Sequence, residues 1–384
     1  MKRRPIVIIS GMIAADPHQG GAAWAVLQYL LGFKRLGWDV LFIEPLKPSK
    51  LLPAGSSLAE SLNARYFSEV LSSFGLLESS ALLLQGAQKT FGLDYHQLRS
   101  ISADAQMLIN ISGMLTDPEL IGRVPIRVYL DLDPAFIQIW HAQGTDMHFA
   151  GHTHFLTVGQ LIGSPDCPVP TENRHWQHTL PPVVMSHWPP TDVEPTLGLT
   201  TVGNFRSYGK LDYQGLSLGL KAHSLRQFID LPTRLGEPVN LAMEIHESEG
   251  RDLQSLLAGG WNLMDPRASA GTPRDYQHFI ARSKAELGIT KDGYIKSRSG
   301  WFSDRSACYL ASGRPVIAQE TGWSAALPTG AGLFAFATPE EAVAAVREIN
   351  ADPIKHRRAA RAIAEDYFDS DRVLKRLLSM VGAK

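Results

Sequence analysis

Cysteine is scarce. Two residues, Cys167 and Cys308, serve a chain of 384, and neither stands in a CxxC. That rules out a disulfide framework and a zinc ribbon, and it fits a reducing compartment. Long apolar runs are missing too: nothing approaches the ~20 consecutive apolar residues of a membrane span. "PIVIIS", after the basic start, is too short for the apolar stretch of a signal peptide and reads as a strand. Net charge is −1, so no whole-chain attraction to nucleic acid is expected. No GxGxxG follows either candidate leading strand and no GxxxxGK[ST] occurs, which argues against a Rossmann dehydrogenase and a P-loop kinase. In "MHFAGHTH", His152 and His154 share a strand face near His148. No carboxylate–histidine completion such as HExxH follows, so no metal is expected. These exclusions leave a cytoplasmic protein without a transmembrane segment as the expectation.

What is present is a globular balance, 44% hydrophobic and 20% charged. A single core rarely grows beyond ~250–300 residues, so two domains are expected. Pro5–Ser10 ends in a glycine as a buried parallel strand does; "GMIAADPHQGG" is a loop, "AAWAVLQYLLGFKRLG" an amphipathic helix and "DVLFIEP" the next strand. That βαβ unit predicts a parallel sheet covered by helices. Residues 54–98 read as mostly helical, and "AQMLINISG", "IRVYLDLDP" and "THFLTVGQ" as strands. The proline- and aromatic-rich stretch 163–195 reads as an irregular connection. A second α/β series starts at "LTTVGNFRSYG". The predicted organisation is residues 1–190, 191–365, and a final helical segment, 366–384.

The most informative stretch is "SGWFSDRSACYLASGRPVIAQETG", residues 299–322. Ser303 is placed as an N-cap, Asp304 suits the first turn, the helix runs over 304–312, and Gly313 fits a left-handed stop before the buried strand "PVIAQ". Unpaired N–H groups at the helix start, beside Gly300, would seat a phosphate. "ETG" lies at the strand's C-terminal end, where open α/β sheets bind ligands, so Glu320 is a candidate for sugar or ribose hydroxyls. The same spacing also describes a plain capped helix entering a core strand.

The segment resembles the C-terminal signature of glycosyltransferases with the GT-B fold, sharing its glycine, aromatic, capped helix, "LASGRPVI" and later glycine. "GMIAADPHQGGAAWAVLQYLLGFKRLGWDVLFIEP" and "LTTVGNFRSYG" resemble the opening elements of that fold's two domains. The resemblance implies two Rossmann-like α/β domains facing across a cleft, the first for the acceptor and the second for the donor, with the C-terminal helix crossing back. It implies transfer of a sugar from a UDP-, GDP- or dTDP-sugar, used as co-substrate with no tightly bound cofactor. The acceptor stays open among a small molecule, lipid, glycan, protein or modified nucleobase. The sequence departs from the family at Gly300 and Cys308, where retaining members commonly carry glutamates, which favours inversion. A nucleotide-sugar epimerase or hydrolase and a non-catalytic sugar-nucleotide or carbohydrate binder remain alternatives.

Within that implied activity, Asp16 and His18 are candidates for the base, histidine being suited to proton transfer near neutrality. Asp131 and Asp133 in "YLDLDPAF" are further candidates for base or acceptor orientation. Gly20 and Gly21 allow close approach of a ligand. Asn204 and Arg206, with Lys210 behind them, face the diphosphate. Lys284, Glu286, Lys291, Lys296 and Arg298 divide between diphosphate or ribose contacts and a solvated helix face. Gly300, Trp301, Phe302, Ser303, Asp304, Glu320, Thr321 and Gly322 complete the implied donor site. Trp176, Trp188 and Trp301 are aromatics for ring stacking or for core packing.

Overall fold

The computed structural model describes residues 4–190, 194–206 and 208–383. β-branched and apolar residues with no polar alternation build strands buried on both faces, and those strands make two sheets. In the first half they are β1 (Ile6–Ser10), β2 (Asp39–Leu46), β3 (Ser80–Leu84), β4 (Thr90–Gly92), β5 (Met107–Ile111), β6 (Ile126–Asp131), β7 (His154–Thr157) and β8 (Trp176–His178). Their order is β4-β3-β2-β1-β5-β6-β7-β8, parallel except for β4, which pairs antiparallel with β3. In the second half β9 (Leu197–Asn204), β12 (Val239–Glu244), β13 (Trp261–Met264), β14 (Ser283–Gly288), β15 (Val316–Gln319) and β16 (Leu333–Phe336) form a parallel sheet ordered β13-β12-β9-β14-β15-β16. Between them β10 (Leu211–Tyr213) and β11 (Leu216–Leu218) make a separate hairpin.

Three expectations need correction. Residues 54–98 hold one helix, Leu62–Ser73, then β3 and β4 and a further helix, Tyr95–Asp104. The leucine run of β3 has no alternation because it is buried, and leucine is also a strong helix former. The irregular stretch 163–195 contains β8, which extends the first sheet. Lys284 and Glu286 lie on β14 rather than on a helix face, since the preceding helix, Pro273–Arg282, stops one residue earlier. Residues 191–193, against which the expected boundary after 190 falls, lie outside the described residues.

The two halves meet through packed helices. Trp24, in the first helix (Gly20–Arg35), donates its indole N–H to Pro273 O at 2.9 Å, and Tyr66 donates to Gly271 O at 2.9 Å. The terminal helix, Ser370–Met380, returns to the first: a Cβ on Gly32 would lie 2.5 Å from Leu374, and Arg35 pairs with Asp371 at 3.2 Å. Buried residues of both halves, Trp24, Trp188 and Trp323 among them, join one apolar cluster. The C-terminal ends of β1, β9 and β12 are left facing one another.

Candidate functional site

Between those strand ends lie two adjoining hollows that share His18, Gln19 and Asn204. The smaller, of about 260 Å³, is walled by Gly20 and Gly21 on one side and by Val202–Asn204, Tyr276, Asp304 and Arg305 on the other. The larger, of about 590 Å³, continues past Asp16, Pro17 and Leu52 toward Arg206, Glu244, Glu249 and Arg267. Concave sites with a few converging polar groups between domains are the usual form of a ligand site.

From the first sheet, the loop after β1 supplies Asp16 and His18. Asp16 is held by Lys50 at 2.9 Å. His18 has left-handed backbone (φ 65°), and its ring rests 5.1 Å from that of Tyr66. A residue other than glycine held there is mildly strained, which the surrounding contacts must impose. The first helix then begins at Gly20 with no side-chain cap on Gln19 and no acidic residue in its first turn. Its leading N–H groups therefore have no intrahelical acceptor and face the smaller hollow. Gly20 is also dictated by packing, since a Cβ there would meet Thr272 O at 2.2 Å.

From helices of the second half come two basic side chains. Arg305 is bound to Glu286 (2.5 Å) and to Val202 O (2.9 Å). Lys221 is buried and makes no hydrogen bond or ion pair among the described residues. Both groups converge on Gly203: a Cβ built there would stand 3.1 Å from Lys221 Nζ and 3.5 Å from Arg305 Nη1. Glycine at 203 thus leaves Arg305 uncovered at the wall of the smaller hollow, with the buried Lys221 close behind. Burial, reinforced by the neighbouring Arg305 charge, pushes the Lys221 ammonium well below its usual range. The nearby Glu286 carboxylate opposes that shift, and an anion arriving there would oppose it further. Arg206 also lines the cavity but is occupied by Glu249 in a two-point contact at 2.5 and 3.1 Å.

The segment 299–322 forms as its spacing predicts. Ser303 caps the helix Asp304–Ala311 by accepting from Arg305 N at 3.2 Å, and Gly313 stops it with φ 68°. Asp304 reaches the smaller hollow, where burial raises its carboxyl above the usual range. The remaining residues are turned elsewhere. Gly300 (φ 72°) makes room for the chain itself, a Cβ there falling 2.7 Å from Leu161 N, and Gly159 bridges to Trp301. Trp301 stacks on Tyr294 at 4.3 Å, and Phe302 is buried beside Trp323 and Phe368. Glu320 accepts from Gly322 N, and Thr321 donates to Trp301 O at 2.7 Å. None of Gly300, Trp301, Phe302, Glu320, Thr321 or Gly322 lines the two hollows.

Four other candidates are corrected by their surroundings. Asp131 is fully buried, accepting from Gln138 (2.7 Å), Thr157 (2.7 Å) and Asp133 N (2.8 Å), a structural junction rather than an exposed base. Its burial lifts the carboxyl to about 6 despite those donors. Asp133 links the two halves, with Lys291 at 3.1 Å, Tyr208 at 2.5 Å and the Tyr294 hydroxyl around it, so Lys291 is not free for a diphosphate. Lys284 sits at the start of β14, remote from the cleft edge, and pairs with Glu237. Glu286 is fully buried against Arg305 and cannot reach a ribose. Trp176 and Trp188 pack among other aromatics in the interior. His152 bonds Asn110 (3.0 Å) and His148 O (2.9 Å), and burial lowers it to about 4. Among the described residues no group of three or more His, Cys, Asp or Glu side chains is arranged to hold a metal, and no helix is long and apolar enough to cross a membrane.

Sequence reasoning missed Lys221 and Arg305. One signal for Lys221 was available: it opens the helix Lys221–Leu225, the end of a helix where the dipole disfavours a cation. Arg305 was hidden by its position inside a segment whose flanking residues drew the attention.

Residues 244–379 match the family described as Glycosyl transferase-like. No curated protein matches the chain. Among solved structures, HepE (Alr3699) of Anabaena, in complex with UDP and glucose, superposes over 99% of this chain and 100% of its own with a TM-score of 0.59 at 11% identity. An alpha-glucosyltransferase in complex with UDP and a mismatch-containing 13-mer DNA gives a TM-score of 0.63 at 10% identity, covering 99% and 100%. The sucrose-phosphate synthase of Thermosynechococcus elongatus gives 0.53 at 12% identity, with 98% of each chain covered. The chain therefore has the GT-B fold of these glycosyltransferases, and its second half carries the glycosyl transferase-like segment.

Proposed function

We propose that the chain is a glycosyltransferase that takes a sugar from a UDP-sugar and passes it to an acceptor in the cavity between its sheets. On this reading residues 1–190 present the acceptor and the base, residues 191–365 hold the donor, and residues 366–384 tie the second half back to the first. The observation that carries the proposal is Arg305 at the wall of the smaller hollow, with the buried Lys221 behind Gly203, across from the uncapped start of the first helix. That arrangement suits a diphosphate, whose leaving-group charge grows as the glycosidic bond breaks. UDP is the nucleotide named with HepE and with the alpha-glucosyltransferase, which supports uridine over guanosine or thymidine.

His18 is assigned as the base, with Asp16 beside it in the loop, because it lines both hollows while Asp131 and Asp133 line neither. Gly300 and Cys308 in place of glutamates support inversion, in which His18 removes the acceptor proton as the acceptor oxygen attacks the anomeric carbon and UDP departs. A small molecule or glycan is the proposed acceptor, a near-neutral chain offering no general attraction to nucleic acid. Two free, buried cysteines support a reducing, cytoplasmic setting.

The test is thermal stabilisation by UDP, GDP, dTDP, ADP and their sugar forms, followed by UDP release from UDP-glucose with candidate acceptors. Selective stabilisation by UDP, with acceptor-dependent release, is expected. Absence of binding by every nucleotide would defeat the reading.

A further inference from the structure

The backbone of the loop that carries His18 is fastened by one side chain that the proposed reaction does not use. Glu44, near the end of β2, is fully buried. Its carboxylate accepts from three successive N–H groups of that loop: Ile13 at 3.0 Å, Ala14 at 2.8 and 2.9 Å to its two oxygens, and Ala15 at 2.7 Å. Asn63, also buried, completes the clamp from a neighbouring helix, donating to Ala14 O at 2.8 Å and accepting from Leu52 N at 2.8 Å. Ile13, Ala14 and Ala15 are buried, and the chain emerges at Asp16–His18, where the cavity begins.

Three consecutive N–H groups converge on one point only when the backbone is curled, and nothing in a glycine-free "IAA" run favours that curl locally. A carboxylate is the side chain able to accept all of them: it has acceptor sites on both oxygens and no hydrogen to clash. Burial pushes the Glu44 carboxyl up to about 7, and the three donors oppose that shift. Beyond Ala15, after the two residues Asp16 and Pro17, the chain reaches His18, whose backbone is left-handed and whose ring lies against Tyr66.

We propose that Glu44 is the positioning residue of the catalytic loop: by gathering the N–H groups of residues 13–15 it sets the placement of His18 at the cavity. The proposal rests on the assignment of His18 as base. Misplacing a reacting group by about 1 Å costs on the order of a hundredfold in rate, so the effect belongs in kcat and not in donor binding.

Glu44→Gln is the direct test, since it keeps the shape but turns an amide NH₂ toward N–H donors. Followed with UDP-glucose by UDP release, it is expected to lower kcat roughly a hundredfold while leaving donor KM and UDP affinity within about twofold. In a His18→Asn background the same change is expected to cost almost nothing more, because both act through one group. Hydrogen exchange gives a separate readout: the amides of residues 13–15 are slow in the wild type and accelerate at least about tenfold in the variant, while residues 283–320 are unchanged. Unchanged loop exchange, or unchanged kcat in an active enzyme, overturns the proposal. So does fast exchange of those amides in the wild type, which decides the matter even if the variant does not fold. If the wild type binds UDP but releases none from UDP-glucose with any of the candidate acceptors, the transferase reading fails, and the exchange measurement alone decides whether Glu44 anchors the loop.

Discussion

Two helices begin at the same cavity, and they begin differently. The one announced by its sequence, Asp304–Ala311, is capped by Ser303 and carries Asp304 in its first turn, so its start is satisfied and negative. The other, Gly20–Arg35, has no side-chain cap and no acidic residue in its first turn, and its opening glycines pack closely against Thr272 and Tyr276. A good N-cap stabilises a helix by occupying the N–H groups that an anion would otherwise use. The better the helix start reads as a structural signal, the less it offers a phosphate. On the proposed reading, Arg305 at the wall and Lys221 behind Gly203 favour a diphosphate seat at the uncapped start rather than at Ser303.

The largest effect is expected from His18→Ala: general-base catalysis contributes roughly 10²–10⁴-fold, so kcat falls by that order while UDP affinity holds. Steady-state kinetics beside a UDP titration separates the two. Lys221→Met comes next, weakening UDP by about a hundredfold, the loss of one charge-assisted contact of about 3 kcal/mol. The empty protein should be no less stable in a melting experiment, because a buried polar group without a hydrogen bond is replaced by an apolar chain.

A pH effect follows from the same lysine, with a defined sign. Its pKa is depressed in the empty site and rises beside a diphosphate, so binding takes up a proton between those two values. UDP affinity should therefore fall as pH rises through that window, by at most about tenfold per pH unit. Asp304→Asn should strengthen UDP severalfold by removing a negative charge from the cavity wall, read from the dissociation constant at low salt. Ser303→Ala is the smallest: a lost cap costs about 1 kcal/mol of stability and leaves UDP affinity nearly unchanged. A large loss of UDP binding there, with Lys221→Met silent, would move the seat back to the capped helix.

Much of the architecture was legible because it rests on local chemistry. The runs Ile6–Ser10 and Val316–Gln319, the cap at Ser303 and the stop at Gly313 each follow from adjacent residues. The capped helix was legible as structure, and its first turn, Asp304 and Arg305, lines the smaller hollow. Gly300 looked like space for a ligand, but the space is taken by Gln160 and Leu161, more than a hundred residues away in the chain. Asp131 and Asp133 looked like an exposed acidic pair, while their partners Thr157, Tyr208 and Lys291 come from other elements. Lys221 and Glu44 were invisible for the same reason: a buried charge is recognised by what surrounds it. Only the cation at a helix start hinted at the former.

The most direct test of the account is calorimetric titration of UDP into the wild type and Lys221→Met, in buffers of different ionisation enthalpy. Tight binding with proton uptake is expected in the wild type, and binding about a hundredfold weaker without that uptake in the variant. Equal affinity and equal proton balance in the two proteins would contradict it.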